Sequence, residues 1–276
     1  MPSSDPAAAV FLRDGDAYVP TQLANGPWAE GALHGGPVAA LLAHACSGVE
    51  PSGGGSLRLA RLAVDLLRPV PRAPLQVEAR LARPGRKVDW IDAVIRAGDV
   101  EVARGSALRV RRQPIVAPPG TDAASRGAAG DPRFDGGPED GEPPVALRKV
   151  DGFHSLALDL RFVRSNLDRT GPGQMWVRLR QPMIEGESIT PLMRAIAAAD
   201  FPNAVSKVLP FEGYSFINPD LVVALWRDPV GEWIGLDAVT RADLDQGVGR
   251  AEGVLCDRDG PFGRAQQTVL LDQLPG

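Results

Sequence analysis

Cysteine, lysine and histidine are scarce in this chain, and each scarcity removes a chemistry. Only Cys46 and Cys256 occur in 276 residues, too few for a disulfide framework, and nothing else points to an oxidising compartment. Of 30 basic residues only Lys87, Lys149 and Lys207 are lysine, which leaves few candidates for Schiff-base or phosphate-loop chemistry. The formal net charge is −4 and the basic residues form no block, so the electrostatic footprint of a nucleic-acid binder is missing. Long apolar runs are missing too. The longest uncharged stretch, Ala32–Val49, holds His34 and His44; its unbroken apolar part falls well short of the roughly 20 residues of a membrane span and reads as a buried helix. The first residues carry no basic segment before an apolar run, so no signal peptide is read and a cytoplasmic location is expected.

Glycine and proline, by contrast, are plentiful at 31 and 26 residues, and 13 of them crowd into Pro114–Pro144. That stretch lacks apolar periodicity and reads as a linker. It divides the chain into an N-terminal domain over 1–113, a connection over 114–144 and a C-terminal domain over 145–276. The two domains resemble each other. Leu62–Val70, Pro74–Ala82, Lys87–Arg96 and Val100–Arg111 find counterparts in Asp220–Val230, Glu232–Thr240, Gly247–Cys256 and Gly263–Leu271. Arg68 and Arg227 are 159 residues apart, Arg104 and Arg264 160. Near-constant spacing over four segments indicates a duplicated module.

In each module a helix precedes the strands and carries proline in its first turn, Pro37 in PVAALLAHA and Pro191 in PLMRAIAAAD, where the missing N–H is no loss. Ser188 or Thr190 is the expected N-cap of the second. An apolar helix followed by an antiparallel meander must bury both faces on each other. The expectation is an α+β fold in which a sheet curls around a central helix in each module.

Two places carry chemistry. His34, Gly35 and Gly36 stand at the opening of the first helix, where free backbone amides and the positive dipole end suit a ligand carbonyl; a plain tight turn is the competing reading. Asp200 is the sole acid of Met193–Phe201 and stands just before Phe201–Pro202, at the helix end whose dipole opposes a carboxylate. Such an acid suits a general base acting on water; an exposed acid, or a partner for Arg194 or Lys207, is equally compatible. Counted from the two prolines, Asp200 corresponds to Cys46, so one module alone holds the acid. Asn218 and Gln267 could orient a water or carbonyl. His44 and Cys46 read as core, and His34, His44 and Cys46 lack zinc spacing, so no metal or cofactor is expected. SGGGS at Ser52–Ser56 lacks the Gly-Lys-Ser/Thr that follows a phosphate loop, and the nucleophile elbow of serine hydrolases is absent.

Asn25–Gly26–Pro27–Trp28, HGGPVAALL, VDLLRPVP, RPGRKV, AAADFPNAVS, FINPDLVVALWRDPVGEWIGLDA and GRAQQT together resemble the type II acyl-CoA thioesterase (TesB-like) superfamily. The resemblance implies a double hotdog that hydrolyses acyl-CoA to a free acid and coenzyme A without metal or covalent intermediate. It implies that Asp200, with residues at the positions of Asn218 and Gln267, holds the attacking water. The family has threonine where this chain has Asn218, and Gln267 matches the family glutamine only with a one-residue gap; ungapped, Thr268 stands there. Substrate contacts are expected at His34, Gly35 and Gly36. An acyl-CoA is the implied partner, with self-association into a homo-oligomer. Two rivals keep the fold: a non-catalytic acyl-CoA or acyl-chain binding protein, and a hydratase, for which a His paired with an acid at Asp-x4-His spacing is missing.

Overall fold

The computed structural model describes residues 9–53, 56–120, 134–144, 151–164 and 167–274. The first half holds the hairpin β1 (Phe11–Asp14) and β2 (Ala17–Pro20), helix α1 (Gly35–Gly48), and strands β3 (Leu57–Leu66), β4 (Leu75–Arg83), β5 (Val88–Ala97) and β6 (Val100–Arg111). The second repeats that order with β7 (Leu158–Arg164), β8 (Gly173–Leu179), α2 (Pro191–Ala199), β10 (Asp220–Leu225), β11 (Trp233–Asp243), β12 (Val248–Asp257) and β13 (Gly260–Gln273). Between α2 and β10 it inserts the single-turn helix α3 (Pro202–Val205) and the short strand β9 (Tyr214–Ile217).

All strands join one antiparallel sheet in the order β1-β2-β4-β5-β6-β3-β10-β13-β12-β11-β8-β7, with β9 on the free part of β13. With β1 matched to β7, β2 to β8, β3 to β10 and so on, the order reads the same from either end. The centre of this symmetry is the β3–β10 seam, where Ala63 pairs with Val222, Leu62 with Val223 and Val64 with Leu221. Residues 159 apart in the sequence are thus exchanged across the seam. The hairpins β1–β2 and β7–β8 extend the repeat beyond the helix and four strands readable from sequence. Their strands run only four to seven residues, too short for alternation to stand out.

Strand alternation sets what faces inward. In β13, Phe262, Ala265, Gln267, Val269 and Leu271 are buried, while Gln266, Thr268 and Leu270 face out. Helix α1 is mostly apolar, with Val38–Ala43 and Cys46 fully buried, as a helix packed into a core must be. It packs on β3 to β6 and on α2, and α2 packs on β8 and β10 to β13, so both helices share one core with both halves of the sheet. Alanines at 39, 40, 195 and 197–199 are fully buried there.

Part of the glycine- and proline-dense connection lies against the second half. Phe134 stacks on Trp176 at 4.7 Å, the Trp176 indole donates to Gly136 O at 2.9 Å, and Glu142 and Phe162 exchange backbone hydrogen bonds. Residues 121–133 of that stretch, Lys149 and two glycines of SGGGS lie outside the described residues.

The carbonyl end of α1 is tied down by a buried ion pair. Arg109 donates to Val49 O at 2.5 Å and to Asp89 Oδ2 at 3.1 Å, and Ser52 Oγ donates to Asp89 Oδ1 at 2.5 Å. Burial works to raise the pKa of Asp89, but hydrogen bonds from Ser52, the Gly85 amide and Arg109 outweigh it and hold the carboxyl below the usual carboxylate range. Removing one partner strands the other in the core. Asp89→Ala is expected to cost about 3 kcal/mol in urea unfolding at pH 7. Because the folded value is depressed, the Asp89 contribution is complete above about pH 4 and disappears as pH falls through the folded value; the gap between wild type and variant should therefore narrow in acid.

Candidate active site

Asp200 is placed by the ending of α2. Thr190 caps that helix by accepting from the Met193 amide at 3.2 Å, Pro191 opens it, and Asp200 is its C-cap. Pro202 does not end helical structure outright. Phe201 takes φ −102°, ψ −2° and the chain continues as α3, with Pro202 at the start of the new turn. Proline disfavours helical backbone at the residue before it, but the bridge region taken by Phe201 is sterically allowed, and the chain is redirected rather than stopped.

The dipole of α2 disfavours a carboxylate at this end, but another helix compensates. A Cβ on Gly35 would lie 2.7 Å from Asp200 Oδ2, so the carboxylate sits directly against the N-terminus of α1. There the positive dipole end favours it by about 0.3–1 kcal/mol. Only glycine leaves that space.

Two amides converge on the other carboxylate oxygen. Asp200 Oδ1 accepts from Asn218 Nδ2 and from Gln267 Nε2, both at 2.9 Å. Their meeting follows from a break in the sheet. The strand beside β13 is interrupted between Ile217 and Asp220: β9 pairs with Leu270–Gln273, β10 with Gly263–Gln266. Asn218 lies in this gap and shares Asp200 Oδ1 with Gln267, while Asp220 Oδ1 substitutes for the missing ladder bond by accepting from Thr268 N at 2.6 Å. Strand alternation points Gln267 inward and Thr268 out, so the glutamine, not the threonine, reaches Asp200.

Asn203, unremarked in the sequence, orients both amides. Its backbone N–H donates to Gln267 Oε1 at 3.1 Å, and its side-chain NH₂ donates to Phe216 O at 3.3 Å and Asn218 Oδ1 at 3.4 Å. Since a backbone N–H can only donate, the Gln267 oxygen must face Asn203 and its NH₂ must face Asp200. The single available signal, an asparagine after proline, gave no hint that α3 would form.

His34 is the N-cap of α1, with its ring between Phe153 and Phe201 at centroid distances of 5.3 and 5.0 Å. Its Nδ1 is 2.9 Å from Asp200 Oδ2 and 3.1 Å from the Gly36 amide nitrogen. A protonated Nδ1 donates to the carboxylate; an unprotonated one accepts from the amide. These contacts are alternatives.

His34, Gly35, Asp200 and Asn218 line a cavity of about 1180 Å³ shared by the two halves, with apolar walls that include Val38, Phe162 and Met175. Arg68 and Lys207 bring positive charge to the lining. Burial lowers the pKa of Lys207, whose Nζ donates to Arg169 O and lies 5.3 Å from the Phe211 ring centre. Gln267 stands behind Asp200, outside the lining. Gly36 also falls outside it, and its N–H turns toward its own N-cap side chain. Of the two glycines, Gly35 lines the cavity.

The remaining candidates lie elsewhere. His44 faces Glu187, 3.4 Å away, and burial lowers its pKa. Cys46 is buried and its thiol is pushed up to about 12 by burial, so it is no nucleophile at neutral pH. Among the described residues no cluster of three or more metal-ligating side chains occurs, and no helix is long and apolar enough to cross a membrane.

Family profiles match both halves, the acyl-CoA thioesterase N-terminal domain over residues 24–110 and the acyl-CoA thioesterase C-terminal domain over 124–271. The chain belongs to the acyl-CoA thioesterase family. Membership places it among the thioester hydrolases. The thioesterase chain has a TM-score of 0.73 to a hot dog fold protein of unknown function from Alicyclobacillus acidocaldarius, at 17% identity over 97% of each chain. The score is 0.72 to a protein proposed as a thioesterase II from Thermobifida fusca, at 17% identity over 96% of each. For acyl-CoA thioesterase II TesB2 from Mycobacterium marinum it is 0.62, at 18% identity over 88% of this chain and 90% of that one. These likenesses show a hotdog fold. No curated protein sequence matches the thioesterase chain.

The Gly35 contact yields a direct test. Gly35→Ala forces the Asp200 carboxylate to move, and displacements near 1 Å can reduce turnover about 100-fold. A loss of that order in thioester hydrolysis, with thermal unfolding little changed, is the expected outcome.

Proposed function

We propose that the protein is a double-hotdog acyl-CoA thioesterase, with modules over 1–113 and 145–276 each curling an antiparallel sheet around its helix, acting in the cytoplasm. Residues 114–144 connect them. Asp200 is the general base for attack of water on the thioester carbonyl. The carrying observation is the arrangement around its carboxylate: Oδ1 is held by Asn218 and Gln267, Oδ2 lies 2.9 Å from His34 Nδ1 and against Gly35, and Asp200, His34 and Gly35 all line the cavity.

A nitrogen 2.9 Å from a carboxylate oxygen needs a proton between them, which places it on His34 Nδ1, donating to Oδ2 and orienting the carboxylate. A water on the cavity side of Asp200 gives its proton to the carboxylate as its oxygen bonds to the carbonyl carbon. The N–H of Gly35, first in α1 and without a partner inside the helix, stabilises the charge that develops on the carbonyl oxygen, aided by the helix dipole. Collapse of the tetrahedral intermediate breaks the C–S bond, and the proton held by Asp200 passes to the leaving thiolate. The free acid and coenzyme A result. Arg68 and Lys207 suit the phosphates of coenzyme A by charge. Asn218 supports this chemistry in place of the family threonine because an amide NH₂, like a hydroxyl, donates to the carboxylate.

Asp200→Asn is expected to lower kcat by about 10²–10⁴-fold, the range typical of general-base removal, with KM little changed, as followed by free-thiol release from acyl-CoA substrates. Undiminished turnover would remove Asp200 from the mechanism. Tight acyl-CoA binding without hydrolysis in the wild type would assign the chain to acyl-CoA binding instead.

A further inference from the structure

We propose that the outer face of β9, β13 and β12 is a self-association surface, on which a second copy of this chain docks about a two-fold axis that runs across the strands. This stands apart from the hydrolysis and does not rest on it.

Three aliphatic side chains stand in a row on that face. Val248 of β12 pairs with Leu270 of β13, and Leu270 pairs with Ile217 of β9. Strand alternation turns them outward, and they are 49%, 53% and 42% exposed. Leu244, on the adjoining turn between β11 and β12, is exposed as well. Single apolar residues scattered over a surface need no explanation, whereas a contiguous patch points to a contact. Elsewhere the chain deals with such surface itself. At the other end of β11, Phe134 of the connection covers Gly235 and stacks on Trp176. In the first half the corresponding row reads Val88, Val110 and Arg58, and Arg58 is paired with Asp228. The row is wholly aliphatic in the second half alone.

Charge decides the occupant and its orientation. On one side of the row, the next outward positions of β11 and β12 are Arg241 and Arg250, which pair with each other. Both contact the Glu252 carboxylate at 3.0 Å and leave one positive charge over. On the other side stand the exposed Asp272 of β13 and Asp245 of the turn. Asp243, opposite Val248 at the end of the row, accepts from the amides of Asp245 and Gln246. Sheets stacked face to face keep their strands nearly aligned, so a two-fold axis in the contact plane runs either along the strands or along the row. Along the strands it would set the arginines of one copy over those of the other. Along the row it reverses strand direction. The aliphatic row then meets itself, and the arginines of each copy face Asp245 and Asp272 of the other. That is a self-complementary, isologous contact. A lipid surface would cover the row equally well but gives no account of flanks of opposite sign.

Sedimentation equilibrium of the full chain over about 1–200 μM tests this, a range suited to the weak, reversible dimer that a contact of this size supports. A monomer–dimer equilibrium is expected within it. Leu270→Arg should raise the dissociation constant about tenfold or more. Ile217 is left unchanged because it also lines the cavity. Arg241→Asp and Asp245→Arg should each weaken association alone, and an equimolar mixture of the two variants should recover it, since each copy then meets an opposite charge. Recovery on mixing is a result that a merely damaged fold cannot give. A wild type monomeric throughout the range overturns the proposal, as does a dimer that Leu270→Arg leaves intact or a mixture no tighter than its components. A monomer that floats with phosphatidylcholine vesicles would make the row a lipid contact and overturn it too. Should Leu270→Arg not fold, Val248→Arg takes its place; Arg58 in the corresponding row of the first half shows that such a row accepts an arginine.

Discussion

The pairing of β3 with β10 is the constraint on which the rest depends. Five residue pairs, Asp220 with Asp65 through Ala224 with Arg61, join the two halves of the sheet. Because this seam lies at the centre of the strand order, it brings α1 and α2 onto one another inside a shared core. Small side chains at their contact let the backbones approach closely. The C-terminus of one helix is thereby delivered to the N-terminus of the other, and Asp200 arrives at Gly35. Neither helix alone could hold the carboxylate there: α2 supplies the acid at its own unfavourable end, and α1 supplies the compensating dipole.

The two halves have diverged where their helices end. In the first, Arg109 and Asp89 tie down the carbonyl end of α1, and Cys46 is an inert part of the core. In the second, the equivalent helix is shorter, ends on Asp200, and is followed by α3 and β9, which have no counterparts. This insertion makes the gap between β9 and β10 that admits Asn218, and it supplies Asn203 to set the orientation of both amides. The polar network is fully connected around Asp200, which is what a buried carboxylate requires. His154 breaks that pattern, since neither of its buried ring nitrogens has a hydrogen-bond partner among the described residues.

Much of the fold was legible. The four strands after each helix and the first-turn prolines follow from periodicity and turn chemistry, and the family was readable from motifs spread over most of the chain. The flanking hairpins were too short to betray themselves. At the site, Asp200 stood out as an acid alone on an apolar helix. Gln267 required strand alternation to be distinguished from Thr268, and Asn203 was invisible because its role depends on a turn that local rules disfavour after Phe201. Gly35 and Gly36 look equivalent in sequence, but successive amides at a helix start point in different directions, and that of Gly36 faces His34.

By itself, then, the sequence determined the helix and four strands of each half, the duplication spacing and the family, and it singled out Asp200 as a lone acid on an apolar helix, since these depend on local periodicity and on residue types at fixed separations. The tertiary structure alone decided that Asn218, Gln267 and His34 meet on the Asp200 carboxylate, that Gly35 lies against it, and that His154 is buried with no hydrogen-bond partner among the described residues. Each is a relation between segments far apart in the chain, fixed by how the sheet closes its seam and leaves its gap, and no local rule encodes it.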